Sequence, residues 1–274
     1  MISKYIEVEN MNTYYYVHTG HRIGLDRFRR AVTVLNCLDA DITLLCSDYR
    51  IAQEARNFGI DKAVGIDVVR NIANIAQKGD QLILDSAEVN PIMLEDMKNF
   101  FSKLYVIKDD EMVIAEKYFE KKEKKVAISY FFGDDDYGKD LIKHLSFIQD
   151  LNPHLQLGYY YFLDYESELQ KTFEHCYEFD EYDEMIMQTN ILITASPQAI
   201  LESLASGGKP IYFQREDYPQ AFQKRFEKLG IPVIKNYNKK DLVSLLNHIH
   251  EINYMQCELN CYNFSRLLKE NLNL

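Results

Sequence analysis

The residues whose types and spacing suit chemistry lie in three places along a chain of 274 residues. The first is HTGHRIGLDRFRR at 18–30, with His18, Gly20, His21, Gly24, Arg27, Arg29 and Arg30. An imidazole titrates near neutrality, so His21 or His18 suits a general base acting on water. An arginine at the start of the following helix suits a bidentate clamp on a pyrophosphate or a sugar carboxylate. The second place is Asp85, which ends the apolar run QLILD. Catalytic carboxylates sit at such strand ends in open α/β sheets, and a helix cap would use the same residue. The third is ILITASPQAILESLASGGKPIYF at 191–213. Ser196 is a good N-cap, and Pro197 at the first helical position loses no needed N–H. Backbone N–H groups at 196–198, with Gln198, would point beyond the carboxyl end of a strand, which suits a phosphate. Glu202 lies about one and a half turns into the helix, within reach of a ribose hydroxyl. An ordinary strand–helix–strand crossover would carry the same signals.

These residues need rigid elements to hold them. Apolar runs at 12–17, 41–46, 63–66, 81–85 and 103–107 read as strands, separated by helical stretches at 27–38, 49–58, 68–77 and 91–101. The alternation restarts with strands at 126–131, 156–162, 191–193, 211–213 and 232–234, and with helices at 138–149, 166–175, 184–188, 219–228, 240–251 and 254–271. Strands alternating with helices imply parallel sheets covered on both faces. Between the two series, residues 112–125 are rich in Glu and Lys and read as a solvated connector. The expected domains are therefore 1–111, a connector at 112–125, and 126–274.

Composition narrows the partners. A formal charge of −11 argues against nucleic acid. No apolar run is long enough to span a bilayer, and the first ten residues lack the pattern of a signal peptide. Five cysteines, scattered and odd in number, suit reduced thiols and a cytoplasmic setting. Cys257 and Cys261 lack a second pair to complete a zinc site, and the acids at 178–184 fit a loop and a helix start, so neither metal nor cofactor is expected.

The stretch 194–210 resembles the nucleotide-binding half of GT-B glycosyltransferases, with a small turn opening a helix, a Glu six residues on, and Leu-x-x-Gly-Gly-x-Pro before a strand. The whole chain is similar to the UDP-sugar hydrolase of pseudaminic acid synthesis and related spore-coat polysaccharide proteins. Residues 23–30 look like that family's glycine-rich turn and basic helix, Leu84-Asp85 like its strand-ending Asp, and 107–111 like its strand followed by Asp-Asp-Glu. Residues 132–136 stand where it has a Gly-Gly phosphate turn. The resemblance implies two Rossmann-like doubly wound domains facing across a cleft. It also implies substrate contacts at Gly24, Arg27, Gly133, Ser196, Gln198 and Glu202, with chemistry from His21 and Asp85. Arg27 stands in the ungapped position of the family's His, and Asp26 in that of its second Gly; a shift of a few residues brings Gly20-His21 there instead.

The expected function is the processing of a UDP-type nucleotide-sugar in surface-glycan or nonulosonic acid synthesis, by hydrolysis or transfer. The alternative is a non-catalytic relative that binds a nucleotide-sugar or a partner protein. A dinucleotide oxidoreductase is disfavoured because Gly20 and Gly24 have the wrong spacing for Gly-x-Gly-x-x-Gly.

Overall fold

The computed structural model describes residues 11–109, 111–161, 165–218, 220–255, 261–272 and 274. Asp110, Phe162, Pro219 and Cys257, which figure in the sequence expectations, lie outside the described residues, as does the segment 1–10.

Two parallel sheets form. The first contains β1 (Thr13–Val17), β2 (Ile42–Cys46), β3 (Ala63–Gly65), β4 (Gln81–Asp85) and β5 (Lys103–Val106), in the order β3-β2-β1-β4-β5. The second contains β6 (Val126–Phe131), β7 (His154–Gln156), β8 (Cys176–Tyr177), β9 (Thr189–Thr194), β10 (Lys209–Gln214) and β11 (Val233–Lys235), in the order β11-β10-β9-β6-β7-β8. β1 lies between β2 and β4 with Thr13 level with Ile42 and Gln81, and β6 lies between β7 and β9. Strand order therefore reverses beside β1 and beside β6, and crevices open at the carboxyl ends of such strands. This is the expected fold of two Rossmann-like α/β domains.

The helices follow their apolar faces. α1 (Asp26–Leu38) buries Phe28, Ala31, Val34 and Leu38. α2 (Tyr49–Glu54) starts at Asp48, whose carboxylate accepts from Arg50 N. α3 (Pro91–Phe100) starts at Asn90. The second half adds α4 (Asp140–Lys143), α5 (Tyr165–Gln170), α6 (Tyr182–Gln188), α7 (Pro197–Ala205), α8 (Gln220–Lys228), α9 (Lys239–Asn247) and α10 (Cys261–Asn271).

Several elements differ from the sequence expectation. The helix expected over 68–77 is a 3-10 helix, Val69–Asn74. The one expected over 138–149 breaks into α4 and two 3-10 turns. The adjacent Phe147 and Ile148 are both buried. Ile148, at φ −124°, ends the first 3-10 turn, so the two side chains enter the core from a break in the helix and not from one regular helix face. The strand expected over 156–162 ends at Gln156. Gly158 turns the chain so close to the loop after β6 that an added Cβ would lie 2.5 Å from the Gly133 carbonyl. β8, two residues long, was not expected.

The stretch 112–125 is a packed strap, not only a solvated one. Met112, Val113, Ile114 and Tyr118 are buried, while Glu116, Lys117, the charges at 120–123 and Lys125 are exposed. Lys124 turns inward, donating to the Met187 carbonyl at 2.9 Å and to Ser206 Oγ at 2.9 Å, and burial pushes its ammonium down to about 8. α10 returns to the first sheet, where Cys261, Leu268 and Leu272 join the core of β1, β2 and α1. Among the described residues no helix is long and apolar enough to cross a membrane.

Candidate functional site

The carboxyl ends of the two sheets face each other, and α1 starts against the start of α7. Two of the side-chain contacts that cross between the domains lie here. Ser196 Oγ donates to Asp26 Oδ1 at 2.5 Å, and Arg29 holds Asp134 through both terminal nitrogens, Nη2 to Oδ1 at 2.8 Å. The Arg29 guanidinium also lies 4.0 Å from the centre of the Tyr182 ring. Burial pushes the Asp26 carboxyl up to about 6, with Asp134 adding to the shift and Arg29, Ser196 and Arg27 opposing it.

Two cavities lie beside these bridges. In front is a cleft of about 230 Å³, reached by Arg22, Arg27, Arg30, Gln198 and Tyr218. Behind is a cavity of about 350 Å³, reached by Arg29, Thr33, Phe58, Phe179, Tyr182 and Glu202. Asp26 lines the first and Arg29 the second.

α7 serves both: its start, Pro197 and Gln198, lines the front cleft, and Glu202 lines the rear cavity. Ser196 caps the helix by accepting from Ala199 N at 3.1 Å, and its own N–H goes to Thr194 Oγ1 at 3.0 Å. Pro197 has no N–H, so of the amides expected to be free at 196–198 only that of Gln198 is left. Gln198 Nε2 donates to the Val113 carbonyl and to Glu202 Oε1, each at 2.8 Å. The Gln198 Oε1 is buried without a hydrogen-bond partner, beside the front cleft. One turn on, Glu202 is 1% exposed and accepts from Tyr182 Oη at 2.6 Å. Burial pushes its carboxyl up to about 7, against the hydrogen bonds from Tyr182 and Gln198. A buried carboxyl poised near neutrality can bind a hydroxyl as donor or as acceptor.

The remaining expected residues are spread around this frame. Arg27 reaches the front cleft, with Nη2 on Asp109 at 2.7 Å and Nε 3.4 Å from Asp85 Oδ1. Asp85 is fully buried, and Arg30 holds both its oxygens, at 2.9 and 2.6 Å; Tyr15 Oη adds a third bond at 3.2 Å. Gly24, at φ +74°, and Gly133, at φ +119°, flank the Tyr218 hydroxyl. A Cβ on Gly133 would lie 3.1 Å from it. His21 is not among the residues lining either cavity. Its Nδ1 is 3.5 Å from Asp135 Oδ1, and its ring packs 5.0 Å from that of Tyr160. His18 is 3.9 Å from Glu88, and burial holds its imidazole below the ordinary value.

Sequence reasoning passed over Asp26, Asp134, Tyr182 and Arg215 as site residues. Arg215 underpins the loop after β6, donating to the carbonyls of Phe132 and Asp135 at 3.2 and 2.7 Å while stacked on Phe132 and Tyr218. One signal was present for part of this, the run Asp134-Asp135-Asp136, which is buried throughout and so requires partners.

Solved structures share this architecture. The UDP-GlcNAc 2-epimerase of Methanocaldococcus jannaschii, in complex with UDP-GlcNAc and UDP, superposes with TM-score 0.60 at 9% identity over 95% of this chain and 100% of that one. The glycosyltransferase SnogD of Streptomyces nogalater gives 0.53 at 12% identity, covering 95% and 99%. The UDP-GlcNAc 2-epimerase of Neisseria meningitidis, bound to UDP-GlcNAc, gives 0.51 at 10% identity, covering 96% and 100%. At such identities the likeness shows the fold, which is that of the GT-B class. No protein-family model and no curated protein sequence matches the chain.

Proposed function

We propose that the chain binds a nucleotide-sugar of the UDP type across the α1–α7 contact and hydrolyses or transfers its sugar, in the synthesis of a bacterial surface glycan or nonulosonic acid. The observation that carries this reading is the single helix face of Gln198 and Glu202. It presents an unpartnered amide oxygen beside the front cleft and a buried, near-neutral carboxyl to the rear cavity. The rear cavity, with Phe58, Phe179 and Tyr182 around Glu202, suits a nucleoside, its base against aromatic rings and its ribose on the carboxyl. The Gln198 amide and Arg27, in the front cleft, suit the diphosphate, with the Ser196 hydroxyl just behind them, and the rest of the cleft suits the sugar. Free thiols at Cys37, Cys46, Cys176 and Cys261 support a cytoplasmic setting. Kinship with the pseudaminic acid hydrolases is part of the same proposal.

Glu202→Ala should weaken UDP binding about tenfold or more, the loss of a hydrogen bond to a charged group. Unchanged affinity by calorimetry in a folded variant rejects the site. Release of free sugar from UDP-N-acetylglucosamine without an acceptor separates hydrolysis from transfer. If His21 is the base, His21→Ala should slow that release by about 10²–10⁴ with UDP affinity kept.

The second reading, binding without catalysis, has its own support. His21 faces Asp135 outside both cavities, and Arg30 and Tyr15 already engage the Asp85 carboxylate. Tight UDP-sugar binding with no turnover under any acceptor tested selects it.

A further inference from the structure

We propose that Asp26 is a proton-operated gate at the phosphate position: its carboxylate takes the place of a phosphoryl oxygen on Ser196, and a nucleoside diphosphate enters when Asp26 takes up a proton. This rests on the reading that the start of α7 receives the diphosphate. The geometry is that of an anion already in place. Asp26, from the opposite domain, accepts the Ser196 hydroxyl proton at 2.5 Å and lines the front cleft beside Pro197 and Gln198. A diphosphate placed on the start of α7 from the front cleft meets this contact.

The cations nearest Asp26 already have carboxylate partners. From its own helix Asp26 faces Arg27 and Arg29, and from the loop after β6 it faces Asp134. The phenols of Tyr182, Tyr212 and Tyr218 also feel its charge. Arg29 is engaged by Asp134 through both terminal nitrogens, and Arg27 by Asp109 and Asp85. Two anions a few ångströms apart in a half-buried place disfavour each other's charge, and the carboxyl is the one that can take a proton. Its affinity for that proton is already raised by burial, so little further shift is needed. A neutral Asp26 can then donate its O–H to the phosphate and become a ligand contact in place of a competitor.

The test is calorimetry of UDP-N-acetylglucosamine binding in buffers of different ionisation enthalpy. This ligand's diphosphate is a diester, so it contributes no titration of its own between pH 5 and 8. Wild type should take up about one proton per ligand at pH 7.5, and its affinity should fall by up to about tenfold per pH unit above pH 6. Asp26→Asn should bind more tightly at pH 7.5, with no proton uptake and a flat profile. Glu202→Gln, whatever its affinity, should keep the slope, which assigns the proton to Asp26. If wild type binds with no proton uptake, or if Asp26→Asn keeps the slope, the gate is wrong while the nucleotide site stands. If neither wild type nor Asp26→Asn binds at any pH from 5 to 8, the nucleotide reading falls and the gate with it.

Discussion

The two cavities that flank the α1–α7 contact are built from opposite materials. The front cleft draws on arginines, Arg22, Arg27 and Arg30, among loops that follow β1 and β10. The rear cavity draws on rings, Phe58, Phe179 and Tyr182, with the Glu202 carboxyl among them. α1 sorts the two sets by its own period. Asp26 and Arg30, four apart, face forward; Arg29, Thr33 and Asn36, spaced four and three, face back. One helix thus separates a surface for anions from a surface for flat, hydroxylated groups. That arrangement suits a ligand with both characters, held across the barrier.

The largest effect should come from breaking the barrier. Arg29→Ala leaves Asp134 buried without its partner and removes the cation above Tyr182. Stripping one member from a buried pair costs about 3–5 kcal/mol. Urea unfolding should show a loss of that size; a loss below about 1 kcal/mol would mean that the two cavities do not depend on this bridge.

Next comes the rear carboxyl. The Glu202 pKa is raised to about 7 in the folded protein from an ordinary 4.5, mainly by burial. The folded state therefore binds the extra proton between these values, and this stabilisation is present at low pH and lost as pH rises through about 7. Glu202→Gln should be more stable than wild type at pH 8 by on the order of 2–3 kcal/mol, and the gap should shrink toward pH 5. A gap that is equal at both values contradicts the buried-carboxyl account.

How much of this was legible in the sequence differs between the sheets and the site. The strands were readable because a strand covered on both faces is an uninterrupted apolar run, as in QLILD and ILIT. The start of α7 was readable because a cap and a first-turn proline act locally: Ser196 does accept from Ala199 N. What failed to show was set by partners far along the chain. Arg29 and Asp134 are 105 residues apart, and Ser196 and Asp26 are 170 apart. No spacing rule connects them. The same cause puts His21 against Asp135 and Tyr160, and brings α10 back onto α1. Gly158 looked like a strand interior because its need for space comes from the Gly133 carbonyl, also distant in sequence.

The front cleft predicts a different pattern, loss of binding without loss of stability. Arg27 is paired with Asp109, which is mostly exposed, and Asp85 keeps Arg30 when Arg27 is removed. Exposed pairs contribute about 0–1 kcal/mol, so Arg27→Ala should unfold within that range of wild type. The same substitution should weaken UDP-N-acetylglucosamine by about 1.5–2 kcal/mol, roughly tenfold to thirtyfold. Stability and affinity that fall together would place Arg27 with the barrier and not with the cleft.

The smallest effect tests whether the two cavities share one support. Ser196 Oγ has two roles: it accepts from Ala199 N, closing the first turn of α7, and it donates to Asp26 across the domain contact. Ser196→Ala removes both. The cap alone is worth about 1 kcal/mol. The donated bond goes to a carboxylate that Arg29 also approaches, at 3.9 Å, so Asp26 is left with a cation nearby and its loss should be partly offset. The expected total is therefore about 1–2 kcal/mol in urea unfolding at pH 7. Ser196→Thr keeps the hydroxyl and should recover most of it, since threonine caps helices nearly as well as serine. A loss above about 3 kcal/mol for the alanine variant would mean that the Asp26 contact, and not the helix cap, carries Ser196, and that the front and rear cavities are held together there more firmly than at Arg29.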